Sequence, residues 1–124
     1  MESPKIAPRA VHIGSVVIPI TLVSTPELRE RGLSGLKMLP EGAGMLFDMK
    51  SVGNHGIWMK EMLFSIDILW IDDSNRINTI IAHATPDSYP HVFYPSSPAR
   101  YVLEVNAGFV TAQKIKVGDS VLFE

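Results

Sequence analysis

Three ionisable residues, Lys60, Glu61 and Asp67, stand in the most apolar stretch of the chain, and Glu104 lies on a later strand. Trp58 lies two positions before Lys60 and Asn106 two after Glu104, and on a strand that spacing puts each pair on one face. Charges in so apolar a setting are either paired or used. Where the three segments form neighbouring strands, an ammonium, two carboxylates, an amide and an indole converge. One reading is a polar pocket with an aromatic wall, formed by Trp58, Lys60, Asp67, Glu104 and Asn106, of the kind that binds small molecules. Another is a dry Lys60–Asp67 ion pair, with Glu104 and Asn106 on the solvent side of a half-buried strand. A third makes Asp67 and Glu104 the acid and base of a hydrolase, as in glycoside hydrolysis. Any two buried carboxylates invite that third reading, so no catalytic residue is assigned and binding is the main expectation.

These residues sit in or near the most apolar part of the chain. The stretch from Gly44 to Ile71 holds both tryptophans and four of the six methionines, Met45, Met49, Met59 and Met62. Trp70 reads as core. Arg31 reads either as an exposed helical residue or as an anion contact. A second aromatic group falls between the prolines of residues 86–98, where Tyr89, His91, Phe93 and Tyr94 require packing partners. That loop either covers the open end of a barrel, edges the Trp58 side as a lid, or offers a contact surface to another protein.

Other chemistries find no residues to carry them. The chain has no cysteine, hence no disulfide, thiol nucleophile or thiolate metal site. Phosphate-binding loops, dinucleotide fingerprints, zinc-protease histidine pairs and nucleophile elbows are also lacking. His12, His55, His83 and His91 lack the spacing of helical ligands, so no metal and no cofactor is expected. A formal charge of −2 and a pI near 6.1 give no electrostatic attraction to nucleic acid or to an anionic membrane. A small molecule or another protein is left as the partner. No apolar run approaches the ~20 residues of a membrane helix. With Met1 as the native start, a cytoplasmic location is expected.

At 124 residues with 46% hydrophobic content, one domain with its own core is expected over residues 11–124, after a flexible tail over 1–10. Val16 to Val23 alternates as a strand, with Pro19 pointing to an edge or a bulge. Thr25-Pro26-Glu27 starts a short helix that Gly32 closes, with Leu28 facing inward. Ile66 to Asp72 is the strongest strand, apolar on both faces except at Asp67, and Asp73-Ser74-Asn75 turns it into a hairpin with Arg76 to Thr85. Arg100 to Asn106 and Ser120 to Phe123 are later strands, with a helical turn or two between them. Strands and helices do not alternate regularly. The expected fold is therefore β-rich α+β: a compact, mostly antiparallel curled sheet or small barrel with one or two short helices.

Arg31-Gly32-Leu33, Gly44-Met45-Leu46-Phe47, Trp58-Met59-Lys60, Ile66-Asp67-Ile68, the run from Tyr101 to Gly108 and Gly118-Asp119 occur in a distinctive order. In these the chain resembles the domain-of-unknown-function 192 family, from about Val16 to Phe123. The resemblance implies a compact β-rich fold of this length and implies no activity. Two departures from the family pattern stand out. Ser34 replaces a methionine after the Gly-Leu pair, and Glu61-Met62 replaces the Asn and Thr that usually follow Trp-Met-Lys.

Overall fold

Alternation along the central strands places apolar side chains on both faces of one sheet, and each face carries its own core. The computed structural model describes residues 8–124. Strands β1 (Ala10–Ile13) and β2 (Val16–Val23) lead to helix α1 (Pro26–Arg31), then to β3 (Gly44–Gly53), β4 (Ile57–Trp58) and β5 (Ile66–Ile71). β6 (Ile77–Ala84), β7 (Val92–Phe93), β8 (Ala99–Asn106), helix α2 (Phe109–Ala112) and β9 (Leu122–Phe123) complete the order. Seven strands form one sheet in the order β6-β5-β8-β3-β2-β1-β9, while β4 and β7 pair separately. Every strand pair is antiparallel except β2 with β3. The sheet curls until β6 meets the turn that leads into β9, with Ile77 donating to the Asp119 carbonyl at 3.0 Å and Gly118 to the Ile77 carbonyl at 2.8 Å. This is the β-rich, curled and mostly antiparallel fold that the sequence predicts.

The expected tail of residues 1–10 falls, for residues 1–7, outside the described residues. Arg9 and Ala10 both donate to the Glu124 carbonyl, and Ala10 opens β1. Pro19 lies inside β2 with a neighbour on each side of the strand, yet its missing N–H costs nothing. Ile20 donates to Arg9, so the nitrogen of Pro19 faces the other side, where pairing with β3 begins only at Ile20. Helix α1 starts as expected, the Thr25 hydroxyl accepting from the Leu28 N–H. Leu28 does not face inward; it is exposed, and Arg29 is the residue that turns toward the body of the protein.

The parallel pairing of β2 and β3 has a consequence for the site. Parallel neighbours need a crossover, and residues 24–43, including α1, make it across the outer face of the sheet. Beneath that crossover lie Phe47, Ile66, Ile68, Trp70 and Val102, joined by Leu33, Met59 and Met62 from the covering segments. The inner face buries Leu46, Leu69, Ile71, Leu103 and Val105, with Val110 of α2. β4 and β7 stand beside the outer core, held to it by the Trp70 indole, which donates to the His55 carbonyl at 2.8 Å.

Gly56 adjoins β4 where no side chain fits: a Cβ there would lie 2.6 Å from Val92 Cγ1 and 2.7 Å from Tyr94 Cε1. Gly56→Ala is expected to push β7 off β4 and lower stability by about 1–3 kcal/mol, the usual cost of overpacking. Urea denaturation measures it, and an unchanged midpoint would refute the close packing of this small sheet.

Candidate functional site

β5 and β8 are neighbours, and their register separates the two buried carboxyls. Asp67 lies opposite Val105 and Glu104 opposite Ile68, so the two side chains leave opposite faces of the sheet. A hydrolase pair cannot be assembled from them, because the sheet itself stands between. Asp67 is fully buried on the inner face. β6 carries two residues against one of β5 at this point, and His83 sits there with φ of 57°. This bulge frees the His83 N–H from the ladder, and Asp67 Oδ1 accepts it at 2.8 Å. Oδ2 accepts from the Val110 N–H at 3.0 Å and so ties α2 to the sheet. Both oxygens of Asp67 are thus engaged by backbone.

Lys60 forms no pair with Asp67. β4 ends at Trp58, and Lys60 occupies an exposed turn with Glu61, whose φ is 59°. The Lys60 ammonium lies 5.5 Å from the centre of the Trp58 ring, a cation–π contact at the surface. Asn106 is on the same face as Glu104, but its amide donates to the carbonyls of Leu39 at 2.9 Å and Pro40 at 3.4 Å, clipping the crossover down.

Glu104 is the exception. The sequence reading that put it on a solvent side is corrected: β8 is a central strand, its outer face lies under the crossover, and Glu104 is only 4% exposed. Its carboxyl has no hydrogen-bond or ion partner among the described residues, and burial alone pushes its pKa up to about 8. It lines a cavity of about 240 Å³ between the sheet, the crossover and the segment that follows Gly56. Leu33, Phe47, Met49, Met59, Met62 and Trp58 supply the walls. Trp58 is half exposed at the mouth, braced by Val92 across the β4–β7 pairing and by the Tyr89 ring, edge-on at 5.3 Å. The loop over residues 86–98 therefore edges the Trp58 side. Outward the cavity adjoins a shallower hollow bordered by Glu27, Arg31, Ser34, Lys60 and Glu61.

Of the five residues singled out from sequence, the structure brings Trp58 and Glu104 to one cavity with Lys60 at its rim. Asp67 and Asn106 are engaged elsewhere. Sequence reasoning missed the wall residues Leu33, Met49, Met59 and Met62, which read there as ordinary apolar positions. It also missed the clamp that shapes the mouth, where the Ser34 hydroxyl donates to the Lys60 carbonyl at 2.9 Å and Gly35 donates to that of Glu61 at 2.9 Å. Among the described residues no group of three histidines or carboxylates could hold a metal ion, and no helix is long and apolar enough to cross a membrane.

Comparison with known proteins places this geometry in a family. The DUF192 pattern, described as Uncharacterized ACR, matches residues 9–123. The chain belongs to the DUF192 family. A UPF0127 protein of Thermococcus kodakarensis is 26% identical over 102 residues, a match spanning 82% of this chain and 62% of that relative. The chain therefore covers less than two thirds of the relative's length. A crystal structure of a protein of unknown function from Novosphingobium aromaticivorans superposes with a TM-score of 0.85 at 26% identity, over 91% of this chain and 83% of that one. A Sinorhizobium meliloti structure named "putative transcription regulator" also gives 0.85, at 27% identity over 97% and 98% of the two chains. The family is uncharacterised, and these relatives assign no chemistry to the cavity. Ser34, Glu61 and Met62, the departures from the family pattern, all border this cavity or its outer hollow.

Two stability measurements separate the two carboxyls. Asp67→Ala strands two backbone N–H groups and is expected to cost roughly 2–5 kcal/mol in urea denaturation, with Asp67→Asn losing about half as much. Equal stability of Asp67→Ala and the parent would show that the bulge does not depend on this side chain. Glu104 has the opposite signature. Its folded pKa lies above the ordinary value of 4.5, so the folded state binds more protons between 4.5 and about 8. Stability should be greatest below that window and fall as pH rises through it, by a few kcal/mol on the order of magnitude set by the shift. Glu104→Gln should remove this contribution, and a fall of the same size in the variant would assign it to other groups.

Proposed function

We propose that this chain is a binding module for one small organic molecule, seated on the outer face of the sheet with its inner end against Glu104. The unpaired carboxyl carries this reading. The same pair of strands satisfies Asp67 with two amides, while the Glu104 carboxyl bonds to no protein group among the described residues and keeps contact with the open cavity. A ligand that bonds to Glu104 supplies the missing partner. Cavity size sets the scale: roughly 150 Å³ of apolar cavity holds a benzene ring. The 240 Å³ here then suits a molecule of about ten non-hydrogen atoms. Methionine walls adapt to shape, and Trp58 offers a flat apolar surface at the entrance.

A protein partner on the 86–98 loop is a second reading, favoured by the exposure of Tyr89 and Tyr94 beside Trp58. The regulator name carried by the Sinorhizobium neighbour would bring nucleic acid into question. With 11 basic against 13 acidic residues, this chain has no charge excess to draw a polyanion, and nucleic acid is not part of the proposal.

Methionine-methyl NMR tests the binding reading directly. Titration with a pool of amphiphilic fragments of this size should shift the signals of Met49, Met59 and Met62 and leave that of exposed Met38 in place. Glu104→Leu should abolish the response. Fragments that move only Met38, or nothing, would overturn the proposal.

A further inference from the structure

We infer that the cavity is built for a primary ammonium carried on an apolar stem, the charge set against Glu104 and the stem lying along Trp58 and the wall methionines. This rests on the binding reading above and adds the sign of the ligand's charge.

Donors and acceptors decide that sign. At depth the cavity offers acceptors: the Glu104 carboxyl and the soft sulfurs of Met49, Met59 and Met62. Two nearby donors are engaged, Arg29 through Nη1 alone and the Ser34 hydroxyl. The Arg29 guanidinium donates to the carbonyls of Ser24 at 3.0 Å and Asp48 at 3.2 Å, and the Ser34 hydroxyl to that of Lys60. The Arg31 guanidinium and the Trp58 indole N–H belong to exposed side chains at the mouth, where water serves them. An anionic ligand set against Glu104 gains from that carboxyl only its own proton, and is repelled once the carboxyl ionises. A neutral hydroxyl gains one ordinary hydrogen bond. An ammonium ionises Glu104 and gains a charge-assisted bond, the strongest of the three contacts.

Charge at the mouth does not oppose this. Arg29, Arg31 and Lys60 face Glu27, Glu30 and Glu61 there, three cations against three carboxylates, which cancel at a distance. β3 and β5 bring no charge to the floor, since Asp48 and Asp67 leave the opposite face of the sheet. Glu104 is the charged group that the sheet itself presents, while Arg29, Glu30 and Arg31 line the cavity from the crossover. The aromatic wall adds to the attraction of Glu104, and the Lys60 ammonium held 5.5 Å from the ring centre demonstrates that the Trp58 indole accepts a cation.

Ligand and proton then exchange. The free site holds Glu104 as the acid, because burial keeps its pKa up at about 8. Binding converts the acid plus an alkylammonium into a carboxylate–ammonium pair, and the carboxyl proton leaves to solvent. Affinity should climb about tenfold per pH unit below about 8 and level off above, while the ammonium stays protonated.

Calorimetry on the full chain with three probes of one shape decides the matter: 2-phenylethylammonium, 2-phenylethanol and phenylacetate, from pH 6 to 9 in two buffers of different ionisation enthalpy. The ammonium should bind tightest, roughly tenfold or more over the alcohol at pH 8.5, and release close to one proton per ligand at pH 7. Glu104→Gln, checked for folding by its melting curve, should lose at least about tenfold for the ammonium and stay within about twofold for the alcohol. The pH profile and proton count of the parent chain stand even where that variant folds poorly. A blocked lysine, Nα-acetyl-lysine amide, separates the sources, tighter binding than the aromatic amine pointing to a lysine side chain and weaker binding to a free amine. Alcohol or phenylacetate binding as tightly as the ammonium, or an affinity flat with pH, overturns the ammonium assignment and leaves the binding module. Failure of all three probes overturns both.

Discussion

The central strands bury both faces, and most of the molecule follows from that constraint. In β5 all six residues are buried, and β8 is buried from Val102 to Val105. A carboxyl on either strand must therefore be solvated by the protein or remain uncharged. The register of β5 against β8 sends Asp67 inward and Glu104 outward, and the two sides give different answers. The inner face is closed by the curl of the sheet, so Asp67 must draw on backbone, and a bulge in β6 with the start of α2 provides it. The outer face is closed by loops, and loops cover without filling. Glu104 looks into the gap they leave.

How that gap forms can be traced to the chain direction. Because β2 and β3 run parallel, the chain must return across the sheet between them, and it does so over the outer face of β3. The segment after Gly56 arrives from the other side, pinned by the clamp from Ser34 and Gly35 and by the Trp70 indole. The 86–98 loop supports it from behind through β7 and Tyr89. Three covers with separate origins meet over one rigid floor. Their junction is the cavity.

Much of this was legible in the sequence, for reasons that differ from residue to residue. Thr25-Pro26 and Gly32 announced α1 because caps obey local chemistry. The run from Ile66 to Ile71, apolar except at Asp67, announced a strand covered on both sides, and Asp73-Ser74-Asn75 announced its turn. The alternative that set Glu104 on the solvent side failed because alternation of Tyr101, Leu103 and Val105 was read as one buried face. Val102, which shares the face of Glu104, was the signal that this face is buried too. Lys60 was misplaced because period two was carried past Trp58, where β4 has already ended. Whether two carboxyls on adjacent strands share a face depends on a register of one residue. Long-range pairing sets that register, and no local pattern records it.

The division of labour between floor and cover bears on what such a site can become. Glu104 is fixed by β8, a strand held on both sides by antiparallel ladders, so its position is as firm as anything in the molecule. The residues around it come from turns and from flexible methionines, which can change shape or identity at small cost to the sheet. Ser34, Glu61 and Met62 lie on the cover, and none belongs to a strand of the sheet. Substitution there alters the width and polarity of the mouth and leaves the buried carboxyl where it was.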